Sequence, residues 1–304
     1  MTTATKRLIV AVNPSASFGR RRGVGDDVVA SLREAGHDIV ELVEPDYASL
    51  VTATRREVDK GADALVVVGG DGMVHLGVNR VAETGIPLAI VPSGTGNDTA
   101  RLLGIPHEDP AAATDHLLKA LEGEARPFDL GRARWVTRGG GTETRWFAGA
   151  ISAGFDALVN ERANKMRRPK GASRYTIALV RELAKLKPLH YRVTLDDQTI
   201  EGDYLLVCAS NGVSIGGGMK VTPNALQDDA LFDVLLVTPL SRIGFLRIFP
   251  RVFRGEHLSD PHVTILRGRR IRIEAPVVAY ADGERLAPLP MDAEIVPGAL
   301  RVYA

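Results

Sequence analysis

"LVVVGGDGMVHLGVNRVAE", residues 65–83, decides the fold. An apolar, β-branched run over 64–68 reads as a buried strand. It ends in two glycines, an aspartate and a third glycine. A glycine turn after a strand ordinarily cradles an anion, because glycine admits positive φ and lets a phosphate approach the backbone N–H groups. A carboxylate there would repel that anion. Asp71 therefore either caps the following helix or holds a metal ion that the anion shares.

Working outward, strand and helix signals alternate through the first third. "RLIVAV" (7–12), "DIVELV" (38–43), "ALVVV" (64–68) and "IPLAIVP" (86–92) read as strands. "VGDDVVASLREAG" (24–36) and "YASLVTATRREVDKG" (47–61) read as helices closed by glycine. "VHLGVNRVAE" (74–83) opens a third helix, and "NDTARLLGI" follows the fourth strand. This alternation predicts a doubly wound parallel α/β domain. Right-handed crossovers put the strand C-termini along one edge, where ligands bind in such sheets.

From Phe128-Asp129-Leu130-Gly131 onward strands dominate: "ARWVTR", "TRWFAGAIS", "HYRVTLDD", "DYLLVCAS", "LFDVLLVT", "VTILRG", "RIRIEA" and "VVAYADGERL". Helical stretches interrupt them at 172–187 and 241–254. The expected architecture is therefore α/β with two domains. Residues 1–129 form the parallel nucleotide-binding domain, and 130–291 form a mostly antiparallel β-rich domain. The final strand, 292–304, can return to either one.

Composition narrows the function. The 304 residues are 45% hydrophobic and 25% charged, as in ordinary globular chains, and the net charge of +1 gives no electrostatic case for nucleic acid. Cys208 is the only cysteine and sits in an apolar run, which predicts a buried core thiol and fits a reducing cytosol. No segment approaches the roughly 20 apolar residues of a membrane span, and the start, lacking a long apolar stretch, is expected to be no signal peptide. Contact with lipid is thus expected to be peripheral only.

Three loops end strands of the first domain: "NPSASFG" (13–19), "GGDG" (69–72) and "PSGTGND" (92–98). Three such loops on one sheet edge point to phosphate binding far more strongly than one. The exclusions sharpen this. No Gly-Lys dipeptide supplies a Walker lysine, no "DFG" or "HRD" marks a protein kinase, and neither glycine turn has the dinucleotide spacing. No H-x-x-x-H pair supports a zinc hydrolase.

"GGDG" after a strand, then "PSGTGNDTAR", "FDLG" and a late "ADGE", resembles the diacylglycerol kinase catalytic-domain family of soluble bacterial lipid kinases. The stretch "GFDALVNERANKMRRPKGASRYTIALV" is similar to the actinobacterial members. The resemblance implies an ATP- and Mg²⁺-dependent kinase that phosphorylates diacylglycerol to phosphatidic acid. Another lipid acceptor (sphingosine, ceramide or monoacylglycerol) is the alternative. A non-catalytic nucleotide- or lipid-binding regulator on the same fold is the third reading. By resemblance, ATP lies on Asn13, Pro14, Gly69, Gly70, Asp71, Gly72, Met73, Gly94 and Thr95. Asp98 and Asp129 match carboxylates of a hydrated Mg²⁺ network. Leu226, Asp229 and Leu231 match a structural Mg²⁺ loop. Asp282 or Glu284 matches the catalytic base. The plain reading of "VVAYADGERL" is a hairpin with an Asp-Gly turn, and Asn97 or Asp98 can simply cap a helix. The resemblance is also compatible with a homodimer and with attachment to the inner face of the plasma membrane.

The sequence departs from the family at Met73 and His75 and at Ser15-Ala16-Ser17, where glycine is delayed to Gly19. In the metal loop, Ala230 stands where glycine is usual, and alanine tolerates positive φ poorly. Two stretches suit an anionic lipid surface. "NKMRRPKGASRY" gathers Lys165, Arg167, Arg168, Lys170 and Arg174. "SRIGFLRIFPRVFRGEH" interleaves arginines with Phe245, Phe249 and Phe253, but it reads first as a core helix burying phenylalanine, because Pro250 breaks the helical face. Of the two, the first is the better candidate.

Overall fold

The computed structural model describes residues 4–13, 23–166 and 172–304. The chain forms two units, Met1–Leu130 with Pro297–Ala304, and Gly131–Val296. In the first unit, β1 (Arg7–Val12), β2 (Asp38–Leu42), β3 (Ala64–Gly69) and β4 (Leu88–Pro92) pair in the order β2-β1-β3-β4, all parallel. Helices α1 (Val24–Glu34), α2 (Tyr47–Val58), α3 (Asp71–Val81), α4 (Asp98–Leu102) and α5 (Pro110–Leu121) connect and cover them. Every residue of β3 and β4 is buried, as continuous apolar runs in a parallel sheet require. Asp46 caps α2 through Ser49 N–H, and Asp109 caps α5 through Ala111 N–H, with Pro110 opening that helix.

Strand β5 (Arg126–Val136) runs from the first unit into the second. There follow β6 (Thr142–Phe147), β7 (Ala150–Gly154), α6 (Phe155–Lys165), α7 (Ala172–Ala184), β8 (Leu189–Leu195), β9 (Gln198–Tyr204), β10 (Leu206–Ser210) and β11 (Phe232–Val237). Then come α8 (Arg242–Val252), a 3₁₀ turn at Glu256–Ser259, β12 (Val263–Gly268), β13 (Arg270–Glu274), β14 (Val278–Ala281), β15 (Glu284–Pro288) and β16 (Met291–Tyr303). One sheet of this unit has the order β12-β11-β10-β7-β14-β15, antiparallel throughout. In the other, β9, β8, β13 and the first part of β16 pair antiparallel. Phe147, Tyr191, Phe232 and Ile271, drawn from both sheets, share one core.

The expected α/β class with a parallel and an antiparallel half is what the chain adopts. The differences are local. Helix α3 starts at Asp71 rather than 74, so the aspartate is helical. Helices α5 and α6 were not expected, because their apolar residues follow a strand or a loop without a clear stop. "TRWFAGAIS" splits into β6 and β7 at Ala148-Gly149. The terminal strand is thirteen residues long; it pairs with β13 at Ile271↔Ala293 and, further on, parallel with β4 at Val302↔Leu88.

Candidate active site

In the first unit the strand order reverses between β1 and β3, the point where open α/β sheets bind ligands. Asn13 N–H donates to Val68 O at 3.1 Å, and Ser93 N–H donates to Gly69 O at 2.9 Å, so three strand ends lie side by side. The glycines are there for closeness. A Cβ added to Gly94 would stand 2.4 Å from the Gly70 Cα, so the two loops touch backbone to backbone.

Asp71 ties these loops together. Its Oδ2 accepts from Asn97 N–H at 3.0 Å and its Oδ1 from Asp98 N–H at 2.9 Å. It therefore caps a helix, but α4 rather than its own. Asn97 is buried at φ +52°, and its Oδ1 accepts from Gly94 N–H at 3.0 Å while its Nδ2 donates to Gly94 O and His107 O. Asn97 was read only as a possible cap; its role as the strut of the loop is legible only in three dimensions. A Cβ on Gly96 would lie 2.5 Å from Asp71 Oδ2 and 3.6 Å from Asp98 Oδ2. Both carboxylates thus lie beside Gly96, whose missing side chain is what lets Asp71 come this close. Such a set of hard oxygens fits Mg²⁺ held largely through its waters.

The other expected positions divide. Gly69 closes β3, Gly70 precedes α3 and Gly72 lies in its first turn, where helix amides face a ligand. Tyr47, not anticipated, donates its hydroxyl to Gly72 O at 3.1 Å. Thr95 is exposed at the tip of its loop. The Met73 side chain is buried against Gly69 and its N–H donates to Gly70 O, so it packs the loop from within. Pro14, with Ser15 to Gly19, lies outside the described residues. Asp129 is buried in β5, and its Oδ1 accepts from Gly298 N–H at 2.8 Å. Among the described residues no three His, Cys, Asp or Glu side chains form a metal cluster.

In the second unit, Asp282-Gly283 turns between β14 and β15 with both φ positive, at 49° and 81°, as an Asp-Gly hairpin turn demands. The Asp282 carboxylate accepts from three backbone amides: Ala148 at 2.7 Å, Gly149 at 2.9 Å and Ala150 at 3.0 Å. It thereby fixes the break between β6 and β7. Glu284 opens β15 and is exposed. Its strand is braced by Arg285, which donates to Glu161 Oε2 at 3.0 Å, and by Tyr280, whose hydroxyl donates to the same oxygen at 2.8 Å. Burial, then the Glu161 hydrogen bond, pushes the Tyr280 hydroxyl up to about 12, so it stays a donor.

The loop expected to hold structural Mg²⁺ departs further from its reading. Ala230 does adopt φ +60°, and Leu231 N–H donates to Asp229 Oδ1 at 3.1 Å. Yet the Arg267 guanidinium donates to Asp229 Oδ2 and lies 3.5 Å from Asp233 Oδ1. Leu226, expected by resemblance to offer its backbone carbonyl, has an exposed side chain. As folded, the Asp229 carboxylate is engaged by a guanidinium. Burial raises the Asp233 carboxyl above its usual range, Arg267 opposes that, and Asp229 adds to it.

Two buried groups lie nearby. Asp156, in the first turn of α6, turns its carboxyl inward: Oδ1 is closed off from solvent without a hydrogen-bond partner and Oδ2 accepts from Ser152 Oγ. Burial pushes this carboxyl up, against the hydrogen bonds from Ser152 and the α6 amides. Cys208 is fully buried, as expected, and burial first, then Asp156 and Asp282, raises its thiol far from reactivity. Contrary to the expectation that no G-x-S-x-G elbow is present, Gly212-Val213-Ser214-Ile215-Gly216 has that spacing. It sits in a loop with no helix after it and Ser214 buried, so it is no nucleophile elbow.

Comparison with known proteins now bears on this geometry. Residues 7–133 match the diacylglycerol kinase catalytic domain, and residues 149–304 match the YegS C-terminal NAD kinase beta sandwich-like domain. A diacylglycerol kinase of Mycobacterium tuberculosis is 39% identical over 298 residues, covering 97% of this chain and 94% of that protein. The chain belongs to the diacylglycerol kinase family. A Stenotrophomonas maltophilia protein named "Probable lipid kinase YegS-like" is 30% identical, covering 100% of this chain and 97% of its own. A crystal structure of a diacylglycerol kinase from Bacillus anthracis superposes with TM-score 0.71 at 23% identity, covering 98% of this chain and 96% of that one. Yeast NADH kinase complexed with NADH shares the fold at TM-score 0.56 and 10% identity, covering 98% and 82%. This lipid kinase family thus joins a diacylglycerol kinase catalytic domain to a NAD kinase-like β unit. No described helix is long and apolar enough to cross a membrane.

Proposed function

We propose that the protein transfers the γ-phosphoryl group of ATP to the free hydroxyl of diacylglycerol, giving phosphatidic acid and ADP. The observation that carries this reading is the seam at Gly70, Asp71, Gly94 and Gly96. Backbone amides at the start of α3 would take the phosphates, and the Asp71 and Asp98 carboxylates would hold hydrated Mg²⁺. When bound, the ion supplies charge neutralisation for the transferring group. Asn97 keeps the loop in the form that accepts it.

Glu284 is the base in this reading. It takes the proton as the acceptor oxygen bonds to phosphorus and the bond to ADP breaks. Asp282 positions rather than catalyses, because its oxygens are already directed at three amides. Asp129 holds the returning end of β16. The protein meets its lipid from the membrane surface without spanning it.

The test is transfer from γ-labelled ATP with Mg²⁺, with diacylglycerol, monoacylglycerol, sphingosine, ceramide and NAD as parallel acceptors. Labelled phosphatidic acid is the expected product. Transfer to another lipid would keep the mechanism and change the acceptor, as the YegS-like relative allows. ATP binding without any transfer would overturn the enzyme and leave a regulator.

A further inference from the structure

Helix α8 lies on the second unit without burying a single one of its residues. Its inner side is an aromatic ladder. Phe245 packs on Phe155 with ring centroids 4.7 Å apart, Phe249 stacks on Phe245 at 5.6 Å, and Phe253 meets Phe249 at 5.9 Å. The outer side is apolar as well: Ile243 is 65% exposed and Leu246 56%, and Phe253, at the end of the ladder, reaches this side with 47% of its surface exposed. At about 100° per residue, positions 243, 246, 250 and 253 form one stripe. Arg242 flanks the stripe on one side and Arg247 and Arg254 on the other. The helix "RIGFLRIFPRV" carries three arginines and no acidic residue. Arg254 pairs with Glu256 and Arg251 with Asp260, but among the described residues neither Arg242 nor Arg247 meets a carboxylate.

An exposed aliphatic stripe with cationic flanks is the form of a helix that lies in the plane of a membrane interface. The neighbouring α7 continues the pattern. It shares a core cluster with Phe245 through Leu179 and Leu183, and it exposes Val180 at 59% with Arg181 beside it. Its one acidic residue, Glu182, is bound by Arg162. A second copy of the chain is a poor occupant, because a two-fold contact would set arginine against arginine. An anionic bilayer complements both features at once.

We infer that the outer face of α8, with Ile243, Leu246 and Phe253 inserted and Arg242 and Arg247 at the headgroups, docks the protein on anionic lipid. This goes beyond the acceptor chemistry but rests on the lipid-kinase reading for its purpose. It also corrects the expectation that this stretch is a core helix. The basic cluster preferred from the sequence falls mainly on Arg167, Arg168 and Lys170, outside the described residues, and its Lys165 pairs with Glu161.

The test is sedimentation of the full-length protein with vesicles of phosphatidylcholine alone or with phosphatidylglycerol, without nucleotide. Binding should need the anionic lipid. Ile243→Glu with Leu246→Glu should reduce it at least tenfold, and Arg242→Gln with Arg247→Gln roughly 25-fold, at about fivefold per arginine. Circular dichroism should remain that of the parent, since these side chains are exposed. Phosphoryl transfer to a short-chain diacylglycerol dispersed in neutral detergent should also be unchanged. Unaltered vesicle binding by both double variants would overturn the proposal, as would loss of a dimer in Ile243→Glu/Leu246→Glu. Absence of transfer in detergent from the parent protein would count against the kinase reading and leave the vesicle result standing.

Discussion

Asp71 in the first unit and Asp282 in the second do the same thing with opposite consequences. Each carboxylate accepts backbone amides from another segment of its unit. Asp71 takes two, at the start of α4, and its oxygens border the space above Gly96. Asp282 takes three, at the break between β6 and β7, and sits inside a hairpin turn. The first arrangement joins two strand-end loops across Gly96, and the second pins a hairpin turn to the break between two strands. The difference teaches that an aspartate in a motif is judged by what its second set of lone pairs can reach. In the proposed reading Glu284 is therefore the base and Asp282 the residue that positions the turn.

The comparison can be broken most sharply at Asp71. Asp71→Asn keeps one acceptor but turns an NH₂ toward the other amide. It should lower kcat about 100-fold or more and lose about 0.5–2 kcal/mol of stability with the cap, read by transfer assay and thermal melt. Next, Glu284→Gln should reduce kcat roughly 100-fold with Tm unmoved, since the residue is exposed. Asp282→Asn should instead lower stability by about 3 kcal/mol. A silent Glu284→Gln beside an inactive but fully stable Asp282→Asn would reverse the assignment. Gly94→Ala should part the two loops, weakening ATP binding about tenfold and stability by about 1–3 kcal/mol; calorimetry with ATP reads both.

The smallest effect concerns Asp156, the second unit's other inward carboxyl. Its folded pKa is raised, so the folded state holds the proton where the unfolded chain has released it. Stability then falls as pH rises from the ordinary carboxylate range up to the raised value, and is flat above it. Asp156→Asn should raise Tm at neutral pH and leave it unchanged in acid. A melt series across pH that shows parallel curves for parent and variant would sink this reading.

Much of the fold was legible in the sequence. Continuous apolar runs between amphipathic helices can be buried only in a parallel sheet, and alternating runs with short turns only in an antiparallel one. The glycine loops were legible too, because glycine after a strand has few other uses. Helix α6 was not, since "FDALVNERANK" follows β7 without a break and carries no clear apolar stripe. The Arg267–Asp229 pair was not either, because thirty-eight positions separate the partners.

The sequence by itself determined the fold class, the three strand-end loops and the family, because these rest on local periodicity and on short motifs. Only the tertiary structure decided which side of α8 faces solvent, which helix Asp71 caps and which of Asp282 and Glu284 is already engaged. Each of those depends on groups brought together from distant parts of the chain, and burial and hydrogen bonding are properties of that assembly.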